Sequence, residues 1–260
     1  MDEDVSDLSP IKLCWSIQVK VLNKWRERSA RGRRSVRMVL ADERDHRTEA
    51  KIKYKDIFRL DSKFKDGDWV VIHHFLLKTV TEDRRTTRHD YRIVFLETTI
   101  LNKISPKDAL EHTLSDVSFP KVLGDTLDKT YLISLIGFVV DPGELHYFDP
   151  SRQTYDFAVL VFDIQDHDDN VIQCIAIGSF AEQFHDEWRR ARGERIVCVL
   201  QWWGIHRSSA DYTMKGKNVV QTVGKCSRLD INPDIPEVEE FLEILAAEEA
   251  NEAGSTASED

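Results

Sequence analysis

Lys24-Trp25-Arg26-Glu27-Arg28-Ser29-Ala30-Arg31-Gly32-Arg33-Arg34 sets six basic side chains around a small Ser-Ala/Gly core. A second stretch, Thr81-Glu82-Asp83-Arg84-Arg85-Thr86-Thr87-Arg88-His89, adds three arginines. The chemistry on offer is grip on a polyanion. A guanidinium bridges phosphate oxygens in a bidentate fork and also stacks on flat rings. Trp25, lying among the arginines, either offers a stacking face or fills the end of a core. Catalytic signatures are absent: there is no G-x-x-x-x-G-K-[ST], H-E-x-x-H or G-x-S-x-G. The acidic run Asp163 to Asn170 lacks the Gly at position six and the terminal Glu of a calcium loop, and reads as a turn between strands.

The elements that must position these residues occur twice. Each copy opens with an alternating strand, Trp15-Ser16-Ile17-Gln18-Val19-Lys20-Val21 and Tyr131-Leu132-Ile133-Ser134-Leu135-Ile136-Gly137. A polar loop follows (26–34; 141–154), then a strand pair turning at acids (Asp42 to Asp45; Asp166 to Asn170). A helix-like segment (55–65; 179–190), an apolar strand, a second polar loop and a last strand complete each copy. Three strands, a helix and two more strands is the order of a five-stranded Greek-key OB barrel. Its long first and last loops close over an oligonucleotide groove, and both arginine clusters fall in these loops of the first copy. The expected fold is therefore all-β with short helices, as two tandem OB barrels at 10–104 and 130–232 joined by a linker at 105–129. A C-terminal helix at 236–246 and an acidic disordered tail at 247–260 follow.

The net charge of −10 hides an asymmetry. Residues 10–104 hold 23 basic and 13 acidic side chains, residues 105–260 hold 13 and 29, so a polyanion ligand is assigned to the first barrel. No apolar run approaches membrane-spanning length, and the acidic start resembles neither a secretory signal nor a transit peptide. The four cysteines form no C-x-x-C and read as small buried hydrophobes in a reducing compartment, without metal. Successive strand residues alternate faces, so His73-His74 read as packing residues rather than ligands, and Trp202-Trp203 as one core ring and one outer ring. Val238, Phe241, Leu242 and Leu245 fall on one helical stripe, read as packing on the second barrel.

Four stretches resemble the DNA-binding barrels of the replication protein A large subunit, in particular its plant-expanded relatives. They are Val36 to Glu43, Thr86 to Phe95, Tyr131 to Gly137 and Ile231-Asn232-Pro233-Asp234-Ile235-Pro236-Glu237. The resemblance implies single-stranded DNA binding without catalysis or cofactor, in DNA replication, repair or recombination in the nucleus. Partners would be single-stranded DNA, or RNA by the same chemistry, with other replication protein A subunits or replication and repair proteins, and no membrane. The usual stacking aromatics are missing. Lys53 and Arg84 stand at those positions in the first barrel; in the second, Ile177 stands at the strand position and Tyr212 substitutes for the loop aromatic absent near Ser208. Candidate contacts are thus Lys24, Trp25, Arg26, Arg28, Arg31, Arg33, Arg34, Lys53, Arg84, Arg85 and Arg88, with Trp203, Arg207 and Tyr212 in the second barrel. The alternative is an OB scaffold turned to protein interaction.

Overall fold

A computed structural model describes residues 3–12, 14–29, 31–107, 114, 117–147, 158–191, 195–207 and 216–256. The chain divides into two compact units, residues 1–113 and 114–260.

In the first unit, β1 (Ser16–Arg28), β2 (Arg34–Ala41), β3 (Arg47–Lys53), β4 (Trp69–Thr79) and β5 (Tyr91–Lys103) close a barrel in the order β1-β2-β3-β5-β4. All neighbouring pairs are antiparallel except β3–β5. A one-turn helix, α1 (Ile57–Leu60), joins β3 to β4 between two short 3-10 turns. Ile17, Val19 and Val21 point inward with Val36, Met38, Leu40, Ala50, Ile52, Ile93 and Phe95. Each aliphatic side chain buried this way contributes about 1.5–3 kcal/mol. The acidic start adds Val5 and Leu8 to this core, so the unit begins earlier than residue 10.

The second unit repeats the ring. Ahead of its strands lies α2 (Phe119–Leu123), followed by β6 (Ile133–Asp141) and β7 (Leu145–Tyr147). The chain continues through β8 (Ala158–Gln165), β9 (Val171–Ile177), α3 (Ser179–Ala191), β10 (Val197–Arg207), β11 (Asn218–Thr222) and β12 (Arg228–Ile231). Pairings β6–β8, β8–β9, β9–β11, β11–β10 and β10–β6 close the same five-strand circuit, again with one parallel pair, β9–β11. Both units are OB barrels. Phe119 and Val122, in the expected linker, are buried in the second core. At Gly137 a Cβ would stand 2.9 Å from the Phe119 ring and 3.0 Å from the Gln165 carbonyl, so α2 seats only over a glycine.

The repetition reaches individual hydrogen bonds. One Asp42 carboxylate oxygen accepts the N–H groups of Arg44 and His46, both at 2.9 Å. Asp166 does the same for Asp168 and Asn170, at 3.0 and 2.9 Å. Asp45 and Asp169, three residues on, take φ of 60° and 63°. An aspartate tolerates this left-handed region better than most side chains. The Asp166 carboxylate is thus committed to its own turn, and no metal-holding cluster occurs among the described residues.

Bulges in the fourth strand of each copy carry the other shared signature, His74 at φ 57° and Trp202 at φ 56°. A hydroxyl donates to each carbonyl, Thr99 to His74 at 2.6 Å and Ser227 to Trp202 at 2.8 Å. A bulge suspends the alternation of faces, and this corrects two readings. His73 and His74 both lie outside the core, between inward-facing Ile72 and Phe75. Trp202 and Trp203 are both buried, at 8% and 0% exposure, rather than one ring in and one out.

α4 (Pro236–Thr256) extends beyond the expected end at 246. The reason is propensity: Ala and Glu are strong helix formers and dominate 246–250 even without apolar content. Val238, Phe241 and Leu245 pack on Ile136, Val197 and Val199 on the outside of the second barrel. Leu242 is instead 42% exposed. Residues 257–260 of the expected tail lie outside the described residues. Of the cysteines, Cys174, Cys198 and Cys226 are buried while Cys14 is exposed, and none is in a disulfide. Burial pushes the Cys174 and Cys198 thiols up, away from reactivity. No described helix is long and apolar enough to cross a membrane.

Candidate nucleic-acid interface

The first arginine cluster is a hairpin. β1 and β2 remain paired to Arg28↔Arg34, and the reversal is confined to residues 29–33. The Gly32 N–H donates to the Ser29 carbonyl at 2.8 Å and the Ser29 N–H to the Arg33 carbonyl at 2.9 Å, with Gly32 at φ 75°. Arg28, Arg31, Arg33 and Arg34 are exposed here. No ion pair joins them to a carboxylate among the described residues.

A bulge between Val21 and Asn23 decides where the rest of β1 points. Beyond it Lys24 stands opposite Met38 and Arg26 opposite Val36, both core residues, so these two cations turn to the barrel end. Asp61 waits there. Arg26 reaches it at 3.0 Å (Nε) and 2.5 Å (Nη2), and Lys24 at 3.1 Å. Lys24 also donates to the carbonyls of Asp61 and Phe64. Burial opposes ionisation of Asp61, but Arg26 and Lys24 outweigh it and keep its carboxyl low. Lys24 is a structural cap rather than a free contact.

Trp25, Glu27, Ser35, Arg37, Glu49, Lys51, Lys53 and Arg92 share the outer face of the same strands. The Arg37 guanidinium stands over the Trp25 ring at 5.9 Å and Trp25 is only 8% exposed, so it has no open stacking face. Arg37 Nε donates to Glu49 at 2.6 Å and Nη1 to Glu27 at 3.3 Å. Glu27 also receives Lys51 and Ser35, each at 3.0 Å. Arg92 contacts Glu49 through Nε and Glu82 through Nη1, both at 2.5 Å.

Glu82 belongs to the β4–β5 connection, which Thr86 fastens to Glu49 by a 3.1 Å bond. Burial opposes ionisation of Glu82, yet Arg92 and then Arg37 hold its carboxyl down at about 2. Glu27 is held low in the same way by Arg37 and Lys51 against its burial. In this second arginine cluster Arg85 Nη2 donates to the His89 carbonyl at 2.5 Å, tying the connection to itself. Arg84 is half-buried and Arg88 exposed. Lys53 lies on the outer face, exposed, directly across from Ser35 and one residue from Arg34.

Next to Lys53 the structure adds a residue that the sequence reading passed over. Tyr54 is 68% exposed, in the 3-10 turn that packs beside β2. Its signal was an aromatic just beyond the end of β3, where strand alternation no longer assigns a face.

In the second unit Trp203 belongs to the core, not to a surface. It is 0% exposed, packs edge-on to Phe162 at 6.1 Å and donates its indole N–H to the Arg228 carbonyl at 2.9 Å. Arg207 is exposed and donates to the Gly216 carbonyl at 3.3 Å. Tyr212 lies outside the described residues. The outward positions of β8 and β9 are Val161, Asp163, Gln165, Val171, Gln173, Ile175 and Ile177, and neither strand carries a basic residue. Burial raises the Asp163 carboxyl, with Asp141 adding to the rise.

Residues 6–125 match a family described as a domain of unknown function, DUF223. No curated protein matches the chain. Among solved structures, a replication protein A heterotrimer bound to single-stranded DNA is similar over 95% of this chain and 55% of that one, at TM-score 0.62 and 16% identity. The chain thus spans about half the length of that relative, and the likeness is one of fold. DNA-binding domain A of S. cerevisiae replication protein A covers 41% of this chain and 96% of its own, at 14% identity and TM-score 0.34. Fission yeast Pot1 with single-stranded DNA covers 94% and 92%, at 10% identity and TM-score 0.31.

Proposed function

We propose that the first unit binds single-stranded nucleic acid, DNA foremost, through its phosphate backbone. One observation carries this reading. Arg28, Arg31, Arg33 and Arg34 crowd one exposed hairpin tip without a paired carboxylate among the described residues, at the edge of the β2–β3 face of an OB barrel. Such a concentration of charge is relieved by a polyanion. Lys53 extends it along β3, and Tyr54 supplies an exposed ring on which a base can stack, a contact worth about 1–3 kcal/mol. The second unit, without basic residues on its corresponding strands, contributes less affinity. Because phosphate contacts carry no base information, binding tolerates many sequences. In the cell this activity belongs to nuclear DNA replication, repair or recombination, alongside other replication protein A-type subunits.

A second reading has its own support. The outer face of β2, β3 and β5 is largely neutralised by internal ion pairs, as suits an OB scaffold that holds a protein partner. Fluorescence anisotropy of labelled oligo-dT at several salt concentrations, with duplex DNA and RNA as competitors, separates the two. Salt-sensitive binding that prefers the single strand supports the first reading. No binding at low salt, with a protein partner retained after nuclease treatment, would put the second in its place.

A further inference from the structure

Arg37 and Arg92 stand side by side on the outer face, and both answer to Glu49. Glu49 is 2% exposed and fixed within β3, so it is their permanent counter-ion. A single carboxylate leaves one positive charge over, since Glu27 is shared with Lys51. Glu82 fills that deficit, at 2.5 Å from Arg92 and 3.7 Å from Arg37. Glu82 differs from Glu49 in every respect that governs exchange. It sits on a connection rather than a strand, its side chain is 36% exposed, and it engages Arg92 through one nitrogen. Arg92 itself is only 8% exposed, and its Nη2 makes no hydrogen bond among the described residues. A buried guanidinium N–H without a partner costs the fold free energy and marks a place where an acceptor belongs.

We infer a phosphodiester-binding site at Arg37 and Arg92, occupied in this structure by the Glu82 carboxylate. A phosphodiester has two non-bridging oxygens. Once Glu82 is displaced, it can accept from Nη1, where Glu82 now binds, and from the buried, unbonded Nη2, a bidentate arrangement that Glu82 does not make. The site lies on the same outer face as Lys53, along the strand pairing from Ser35↔Lys53 to Glu49↔Arg92. A single strand held at the hairpin tip is thereby directed across β2 and β3 toward the β4–β5 connection. Its phosphate displaces Glu82, and the connection lifts or re-seats around it. The inference rests on the nucleic-acid reading and specifies a second contact within it.

The test is anisotropy of labelled oligo-dT with the full chain, comparing wild type, Glu82→Gln, Glu82→Asp and Asp83→Asn. Asp83 is exposed on the same connection, so its change removes an equal charge without freeing either arginine. Glu82→Gln is expected to bind about five- to tenfold more tightly at low salt, the scale of one net hydrogen bond. Its salt dependence should stay close to that of wild type, because the same phosphate occupies the site in both complexes. Asp83→Asn should leave the affinity close to that of wild type. Glu82→Asp keeps the charge but withdraws the carboxylate, and should move in the same direction as Glu82→Gln. It decides the matter if circular dichroism shows Glu82→Gln unfolded. An affinity for both Glu82 variants equal to wild type, or a gain matched by Asp83→Asn, overturns the site while leaving the hairpin contacts standing. Absence of binding by wild type and Glu82 variants alike overturns both readings. Inorganic phosphate, titrated against chloride at matched ionic strength, should compete no better with the Glu82→Gln complex than chloride does. Selective competition would assign the site to free phosphate instead.

Discussion

Arg34 stands directly across the hairpin from Arg28, two guanidiniums in cross-strand register without a paired acid among the described residues. Like charges so placed destabilise a sheet by about 0.2–1 kcal/mol. The pair therefore works against the hairpin that carries it. Arg34→Glu should raise the melting temperature of the first unit and weaken binding to oligo-dT. A lower melting temperature would show that the arginines hold the turn rather than await a ligand.

Changing Arg31, Arg33 and Arg34 together to Ala tests the tip as a backbone grip. Each phosphate contact on a single strand contributes about −0.7 to the slope of log affinity against log salt. The triple variant should lose up to about 2 from that slope and weaken all sequences alike. A slope equal to wild type would place the phosphates elsewhere.

Acid should act on Glu82 and Asp163 in opposite senses. In the first unit, Arg92 and Arg37 hold Glu82 at about 2 against an ordinary 4.5. A depressed folded value means the contribution is complete above the unfolded pKa and fades as pH falls from about 4.5 through 2. Glu27 and Asp61, also held low by their cations, add to the loss. In the second unit Asp163 is raised by burial, so its ionisation works against the fold as pH climbs above the ordinary 3.8. Asp163→Asn should raise the second unit's melting temperature at pH 7 and change it little at pH 3, as followed by calorimetry. An equal effect at both values would assign the change to packing rather than charge.

The repeated layout was legible because local chemistry enforces it. The alternation from Ser16 to Val21 and the turns at Asp42 and Asp166 are written in residue type and spacing. The direction of particular side chains was less legible, and the cause in each case is a bulge. One extra residue between Val21 and Asn23 sends Lys24 and Arg26 to the barrel end and leaves Trp25 under Arg37. The bulges at His74 and Trp202 bring adjacent residues to one side. A bulge depends on what opposes the strand, which period-two reading of a single strand does not contain. Charge counting located the basic unit but could not divide Arg37 and Arg92, locked to Glu49, from Arg31 and Arg33 at the tip.

Trp203 and Tyr54 give the sharpest separation of structure from binding. Trp203 is fully buried, bonded through its indole to the Arg228 carbonyl and packed against Phe162. Trp203→Ala should cost the second unit about 3–5 kcal/mol, the usual penalty for emptying an aromatic site in a core. Urea unfolding should report that loss, while oligo-dT affinity, vested in the first unit, changes little wherever the protein remains folded. Tyr54→Ala should do the reverse. With 68% of its surface exposed, it loses little packing. A stacked base forgone weakens binding by about 1–3 kcal/mol, roughly five- to 150-fold, without moving the unfolding midpoint. Unchanged affinity in Tyr54→Ala would leave the interface purely electrostatic. In that case duplex and single strand should compete in proportion to their phosphate density, because stacking is the contact that favours an unpaired base.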